Sequence, residues 1–528
     1  MSDIGQVSAL GVRSLVIVGG GTAGWMAAAA LARVLTGTSC EITLLESEAV
    51  GTIGVGESTI PSLSAFHRLL DVDEREFLSA TRATFKLAIQ FRDWGGIGES
   101  FLHPFGPYGL DTQHSLFQAY WLKRRQEGHP SPLEEWSVTG LAASMGRFGW
   151  PMGLLTERLA RESSAGTGTR LSNESSVLRN LSYAYHLDAV LYARFLRTYA
   201  ENRGVRRIDG LVVDVTLDGR GLVDALRLQD GRSIGGDFFI DCSGFEALVV
   251  EKALKTGYVD WSHWLPCDRA LAVQCESAGD LAPFTQSTAR ECGWQWRIPL
   301  QHRVCNGYVY SSTYLSDDEA QMRLFERLEG APLSDPRLLR FKAGRRTQAW
   351  VGNCLALGLA AGFLEPLEST NIHLVQTALG RLFGLFPDRD FDPAISAEYN
   401  RLTALEYERV RDFLILHYAA SKREDAPFWR DCRAMPLPET LTYKRDLFAK
   451  TGHIAMMEEE TFLPASWLAI YAGLHVWPER YEPIVDILAS GEMVSRFEAM
   501  RASIRKSVET LPAHATSPQG SGSHGITG

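Results

Sequence analysis

The chain has 528 residues and a formal net charge of −10. That length exceeds one simple core and points to two or three closely joined domains. The acidic balance disfavours a general nucleic-acid binder. Eight cysteines lie scattered without CxxC spacing, which reads as reduced, mostly buried thiols rather than a disulfide frame or a zinc site. No uncharged apolar run reaches the ~18 residues of a membrane span, and Met1-Ser2-Asp3 lacks the basic start of a signal peptide. A cytoplasmic protein without a metal is therefore expected.

Residues 12–50 read as β-α-β. The apolar strand Ser14-Leu15-Val16-Ile17-Val18 runs into Gly19-x-Gly21-x-x-Gly24 and then an Ala-rich helix. Such glycines permit a tight turn, close approach of a pyrophosphate and close helix packing, which marks a dinucleotide site. A second strand ends in Glu46, where a carboxylate can bind ribose hydroxyls. Glu46 lies further along than the usual ~20 positions, so the first helix or its exit loop is extended. A Gly-rich strap covers residues 51–61, and a helix follows near Ser62–Leu70. Residues 95–175 are rich in Gly, Pro and aromatics and read as loops. Tyr183–Asn202 reads as helix, Gly204–Ala225 as strands, and Phe238–Asp241 as a buried strand ending in a small-residue turn. Residues 269–315 alternate like an antiparallel sheet. Residues 396–510 are mainly helical, and a Ser/Gly/Thr tail reads as disordered.

Gly362-Phe363-Leu364-Glu365-Pro366-Leu367-Glu368-Ser369-Thr370-Asn371-Ile372 stands out. An apolar run meets two carboxylates, a Pro and a Ser-Thr pair before an amphipathic segment. This reads as a strand-to-helix junction with Ser/Thr at the cap, whose free N–H groups attract an anion. Lys86 lies among Phe85, Leu87, Ala88, Ile89 and Phe91, an apolar setting that lowers a lysine pKa when buried. Trp294 and Trp296 alternate and so share one strand face. No second strand–GxGxxG–helix unit is visible, so reducing power from outside the chain, or only transient nicotinamide binding, is expected.

These residues carry a family resemblance. Gly293-Trp294-Gln295-Trp296-Arg297-Ile298-Pro299 matches the W-x-W-x-I-P signature of flavin-dependent halogenases, and the chain resembles the tryptophan halogenase branch over residues 12–500. The Gly19–Trp25 loop, Lys86 and Glu365–Thr370 match the family's other motifs in order. The resemblance implies an α/β, FAD-binding Rossmann-like fold with an added, mainly helical substrate part. The corresponding boundaries are a core over 1–395 with a substrate-side insertion at 95–175, a helical part over 396–512, and a tail over 513–528. It also implies that a flavin hydroperoxide forms from FADH2 and O2 and is attacked by chloride or bromide. The hypohalous acid is then guided to Lys86 for electrophilic substitution on an aromatic, indole-type ring, with Glu368 assisting and Ser369 placing Glu368 or the lysine.

Cofactor contacts are implied for Gly19, Gly21, Thr22, Ala23, Gly24, Glu46, Val55, Gly56, Glu57, Val212, Leu359 and Ile372, and halide contacts for the N–H groups of Thr370 and Asn371. The two tryptophans would wall the flavin compartment. His103 and Phe105 match a His-x-Phe pair of the substrate pocket, and Phe462 and Trp467 fall in the recognition segment. Two departures matter. Asn371 stands where the branch carries Gly, and Ser466-Trp467 and Phe462 replace the Tyr pair and Trp that clamp a free amino acid. A separate flavin reductase is implied as partner, and a homodimer is left open. Two other readings share the nucleotide fold: a flavin-dependent aromatic monooxygenase and a non-catalytic FAD-binding protein.

Overall fold

The computed structural model describes residues 11–48, 56–109, 111, 117–149, 177–277, 279, 281–487 and 490–514. The chain forms two compact units, each built from several stretches: residues 1–83, 187–268 and 339–408 in the first, and 84–186, 269–338 and 409–528 in the second.

The first unit is organised by a six-stranded sheet. Its order is Trp350–Val351, Cys354–Ala356, Phe238–Asp241, Ser14–Val18, Glu41–Glu46, Arg206–Asp209. All neighbours are parallel except the antiparallel edge pair Trp350–Val351 and Cys354–Ala356. The central strand places Val18 beside both Asp241 and Leu45. The helix Thr22–Val34 follows it, buried from Gly24 through Ala32. Its alanines carry little bulk on any side, so the helix sits under cover on nearly all faces. The core beside the sheet gathers Val16, Leu45, Ile208, Leu226, Phe239 and Cys354. The turn after Phe238–Asp241 is held by Asp241, whose two carboxylate oxygens accept from Ser243 N–H at 3.0 Å and from Val249 and Val250 N–H at 2.9 Å each.

The second unit contains an antiparallel run in the order Arg269–Cys275, Val304–Tyr310, Gly293–Pro299, Phe284–Arg290. Ala88–Arg92 joins parallel to the last of these, followed by Ser100–Pro104. A short pair, Thr84–Lys86 with Ala184–Asp188, sets Thr84 opposite His186 and Lys86 opposite Ala184. The helices Pro427–Ala434, Glu439–Thr451, Pro464–Gly473 and Ser490–Glu509 complete it, together with the later part of Pro393–Ala420.

The expected helix over Tyr183–Asn202 divides. Ala184–Asp188 is a strand, and the helix is Ala189–Glu201. Asp188 marks the change, since its carboxylate caps Val190 and Leu191 N–H at 3.0 and 3.1 Å. The loop-rich stretch 95–175 holds the helices Phe117–Gln126 and Val138–Ser144, while 112–116 and 150–176 lie outside the described residues. At the far end the packed chain continues two residues into the expected tail: Ala513 pairs with Arg147, and His514 is buried with its N–H on Gly146 O at 2.8 Å. The remaining tail lies outside the described residues. All eight cysteines are free thiols, and seven are buried. Among the described residues, no helix is long and apolar enough to cross a membrane.

Candidate functional site

In the first unit the glycine loop is shaped by close approach. Gly19 has φ +110°, and a Cβ there would meet Cys242 O at 2.3 Å; one on Gly24 would meet Gly19 O at 1.9 Å. Only Gly fits either position. The space beside Gly20 is filled by the Glu46 carboxylate, but Gly21 faces open space. Gly21 is also the N-cap of the helix beginning at Thr22 and Ala23, and no side chain caps it. An open cradle at an uncapped 13-residue helix start fits a pyrophosphate. The residues present therefore fit an FAD nucleotide.

Glu46 lies beside the loop, and it pairs with Arg207 and, at 3.6 Å, with Arg197. Gly358 brings Leu359 to the same place, since a Cβ on Gly358 would lie 2.8 Å from Ala23 Cβ and 3.7 Å from Val375. Gly56 and Glu57 form part of a short strand, and burial pushes the Glu57 carboxyl up to about 7. Val55 lies outside the described residues. Val212 packs on the core beside the sheet.

The turn before the helix Asn371–Gly384 is built differently from the expected cap. Pro366–Glu368 is a single tight turn, Ser369 is left-handed at φ +61°, and Thr370 is the N-cap without a capping side-chain bond. Glu365, Glu368, Ser369 and Thr370 are all buried. Thr370 Oγ1 is enclosed and has no partner among the described residues. The helix thus starts with uncapped N–H groups and an unsatisfied hydroxyl, donors suited to an anion. Asn371 is the first helical residue and is not among the residues with positive φ, so its Cβ costs nothing there. Ile372 is buried beside it.

A polar network that sequence reasoning missed backs this helix. Ser62 Oγ lies 2.6 Å from Gln376 Oε1 and 3.0 Å from His373 Nδ1. His373 Nε2 is 3.6 Å from Glu406, which also accepts from Arg381 at 2.7 Å and Thr377 at 2.9 Å. Burial, then Arg381, holds His373 down at about 4.

Lys86 belongs to the second unit. It has no exposed surface, and neither do Phe85, Leu87, Ala88, Ile89 and Phe91 around it. Its Nζ stands 5.0 Å from the Phe105 ring centroid, a cation–π contact strengthened by the absence of water. Phe105 N–H bonds Leu87 O at 3.0 Å, and His103 sits opposite Ile89. His103 is buried, with ring centroids 6.3 Å from Phe462 and 5.9 Å from Phe413. Phe462 stacks on Phe413 at 3.9 Å. Trp467 is fully buried against Phe413, its N–H given to Phe462 O at 3.1 Å. Phe413 carried no sequence signal beyond an apolar helix position. Trp294 and Trp296 lie on one strand, ring centroids 6.0 Å apart, and Gly307 opposite Trp296 leaves room for its ring.

The predicted residues therefore fall into two groups. The nucleotide loop, Leu359, Glu368, Ser369, Thr370, Asn371 and Ile372 belong to the first unit; Lys86, His103, Phe105, Phe462 and Trp467 belong to the second.

The sequence profile of the tryptophan halogenase family matches residues 14–490. The fold is similar to that of BrvH, a flavin-dependent halogenase from Brevundimonas sp. BAL3, with TM-score 0.88 and 47% identity over 96% of this chain and 98% of that one. It is similar to Xcc4156, a flavin-dependent halogenase from Xanthomonas campestris, with TM-score 0.88 and 45% identity over 96% and 97% of the two chains. The tryptophan 6-halogenase SttH of Streptomyces toxytricini is 34% identical over 514 residues, 94% of this chain and 96% of its own length. With the nucleotide loop, the uncapped acidic turn and the buried lysine in place, the chain belongs to the tryptophan halogenase family and is a flavin-dependent halogenase.

Proposed function

We propose that this protein halogenates an indole-type ring that lacks a free amino-acid end, using reduced FAD, O2 and chloride or bromide. The observation that carries the reading is Lys86, a lysine side chain buried among apolar neighbours over the ring of Phe105. Reduced FAD, when bound, supplies with O2 the two-electron oxidation of halide to hypohalous acid. The Gly19–Gly24 loop and Glu46 hold the nucleotide, and Leu359 and Ile372 border the ring. The N–H groups of Thr370 and Asn371, with the unsatisfied Thr370 hydroxyl, hold the halide.

Lys86 donates a hydrogen bond to the hypohalous acid. A ring carbon attacks the halogen, the departing hydroxide takes a proton from Lys86 and leaves as water, the ring proton passes to Glu368, and that proton is afterwards returned to Lys86. The net change is ring C–H plus hypohalous acid giving ring C–halogen plus water. Ser369 orients Glu368. Trp294 and Trp296 wall off the flavin compartment against direct oxygen transfer. His103 and Phe105 border the substrate ring.

A zwitterion is disfavoured because buried, unpaired charges are costly. Trp467 offers no N–H to a carboxylate, having given it to Phe462 O. The loosely held ring then reacts at its most electron-rich carbon, C3 of indole. No second nucleotide loop is visible in the sequence, so a separate reductase supplies the reduced flavin.

The test is incubation with an unrelated flavin reductase, FAD, NADH, bromide or chloride, and equimolar indole and tryptophan, read by mass spectrometry. The halogenated product of indole at C3 should dominate. A halide-independent product heavier by one oxygen would favour a monooxygenase. Preferential benzo-ring halogenation of tryptophan would overturn the substrate assignment.

A further inference from the structure

Lys86 sits on a strand of only three residues, too short to hold a side chain rigidly by its own ladder. A histidine 100 residues away anchors this strand through Thr84. Where Thr84–Lys86 pairs with Ala184–Asp188, His186 lies opposite Thr84 and Ala184 lies opposite Lys86. Residues two apart on a strand share a face, so Thr84, Lys86, Ala184 and His186 all do. His186 is thus the diagonal neighbour of Lys86, and the small Ala184 leaves the lysine room.

The His186 ring is fully buried, and both nitrogens are engaged. Nδ1 is 3.2 Å from Thr84 Oγ1, and Nε2 is 2.9 Å from Thr285 Oγ1. The Thr84 hydroxyl donates its one proton to Pro299 O at 2.7 Å, so it can only accept from His186. Nδ1 therefore carries the ring proton, and Nε2 is the acceptor for Thr285. The imidazole cannot take a second proton cheaply: burial, then the charge of Lys86, then His514 and Arg297, push its pKa well below the usual histidine range. The ring bridges two strands, Thr84–Lys86 through Thr84 and Phe284–Arg290 through Thr285, while the Thr84 hydroxyl itself reaches Gly293–Pro299 at Pro299 O. The last residue of the W-x-W-x-I-P strand is thereby tied to the lysine strand.

We propose that His186 is a positioning residue for Lys86: a neutral, Nδ1-protonated imidazole that clamps the lysine strand to Phe284–Arg290, the neighbour of the tryptophan-bearing strand, and keeps a second positive charge away from the lysine. The proposal rests on the reading of Lys86 as the halogen-delivering group. It assigns His186 no contact with substrate or flavin. A lysine shifted by an ångström would no longer intercept hypohalous acid before it escapes, and misplacement on that scale costs about a hundredfold in comparable cases.

The experiment uses the full chain with FAD and a reductase. It measures the ratio of halogenated indole to hypohalous acid caught by monochlorodimedone. His186→Gln keeps one donor and one acceptor and should stay near the wild-type ratio. His186→Leu should move the ratio about tenfold or more toward escaped oxidant, with FAD binding and total oxidant unchanged. A second readout needs no turnover: the pH profile of Lys86 carbamylation by cyanate, read on its peptide, should shift in His186→Leu and not in His186→Gln. Should His186→Leu fail to fold, Thr285→Val removes the donor at Nε2 and keeps the imidazole, and the profile should still shift. A wild-type ratio and profile in the variant that folds would overturn the proposal, as would equal defects in the Gln and Leu variants. Full product from Lys86→Ala would instead overturn the reading of the lysine, which separates the two failures.

Discussion

The turn Pro366–Thr370 and the strand Thr84–Lys86 both bury their charged residues, but they hold them by different means. The turn encloses Glu365 and Glu368 and spends backbone strain to do so, with Ser369 left-handed at φ +61°. Its helix start remains uncapped, and the Thr370 hydroxyl remains unsatisfied. The strand is regular. Its ammonium rests on an aromatic face, and its polar neighbours Thr84 and His186 are satisfied by hydrogen bonds to Pro299 and Thr285. The difference suits the proposed chemistry. An anion site needs donors left open, whereas a lysine that must meet one reactive species needs a single fixed geometry.

The largest expected effect breaks the strand side of this comparison. Lys86→Ala should lower halogenated product by about two to four orders of magnitude while oxidant formation persists, as assayed by product mass beside a hypohalite trap. Equal loss of both would place the lysine upstream of the oxidant.

Acid should act on stability in the first unit. His67 is held at about 3 by burial and His373 at about 4, both below the unfolded value. The unfolded chain therefore takes up protons first. The stability from these neutral rings is complete above about pH 6.5 and falls as pH drops toward 4, by about 1.4 kcal/mol per pH unit for each ring. Denaturant midpoints across that window should show the fall, and His67→Gln, which can keep a bond to the Tyr192 hydroxyl now 3.0 Å from Nε2, should flatten it.

A smaller effect sharpens the turn side. Thr370→Val removes a buried, unsatisfied hydroxyl at nearly constant volume. Without halide the variant should be as stable as the wild type or gain about 1 kcal/mol; with halide its KM for bromide should rise severalfold. An unchanged KM would leave the halide to backbone N–H groups alone. The smallest effect is Ser369→Gly, which relieves left-handed strain of about 1 kcal/mol and should raise the unfolding midpoint slightly. A lower kcat in that variant would show that the hydroxyl orients Glu368.

The parts of the site legible in the sequence were those whose meaning is local. Gly19, Gly21 and Gly24 demand a tight loop wherever they occur, and Gly-rich spacing announces it. Pro366 followed by Glu368, Ser369 and Thr370 marks a turn into a helix, although whether a hydroxyl caps is settled by neighbours, and here the Thr370 side chain does not. The apolar residues around Lys86 foretold its burial. Where local signals conflict they mislead: Tyr183–Asn202 has helical composition, yet its first residues pair with Thr84–Lys86 and become a strand.

What the sequence determined by itself was the nucleotide loop, the acidic turn and the apolar setting of the lysine, because each follows from spacing within a dozen residues; the fold class came with the ordered motifs of the family resemblance. Tertiary structure decided which segments share a compact unit, that Trp467 is core with its N–H already used, and that His373 meets Glu406 and Ser62. It also decided the His186 clamp, whose Thr84 and Thr285 partners lie 102 and 99 positions from it. No periodicity reaches across such distances. A histidine's tautomer and charge depend on which hydroxyls the fold brings to its two nitrogens, and only the packed chain supplies them.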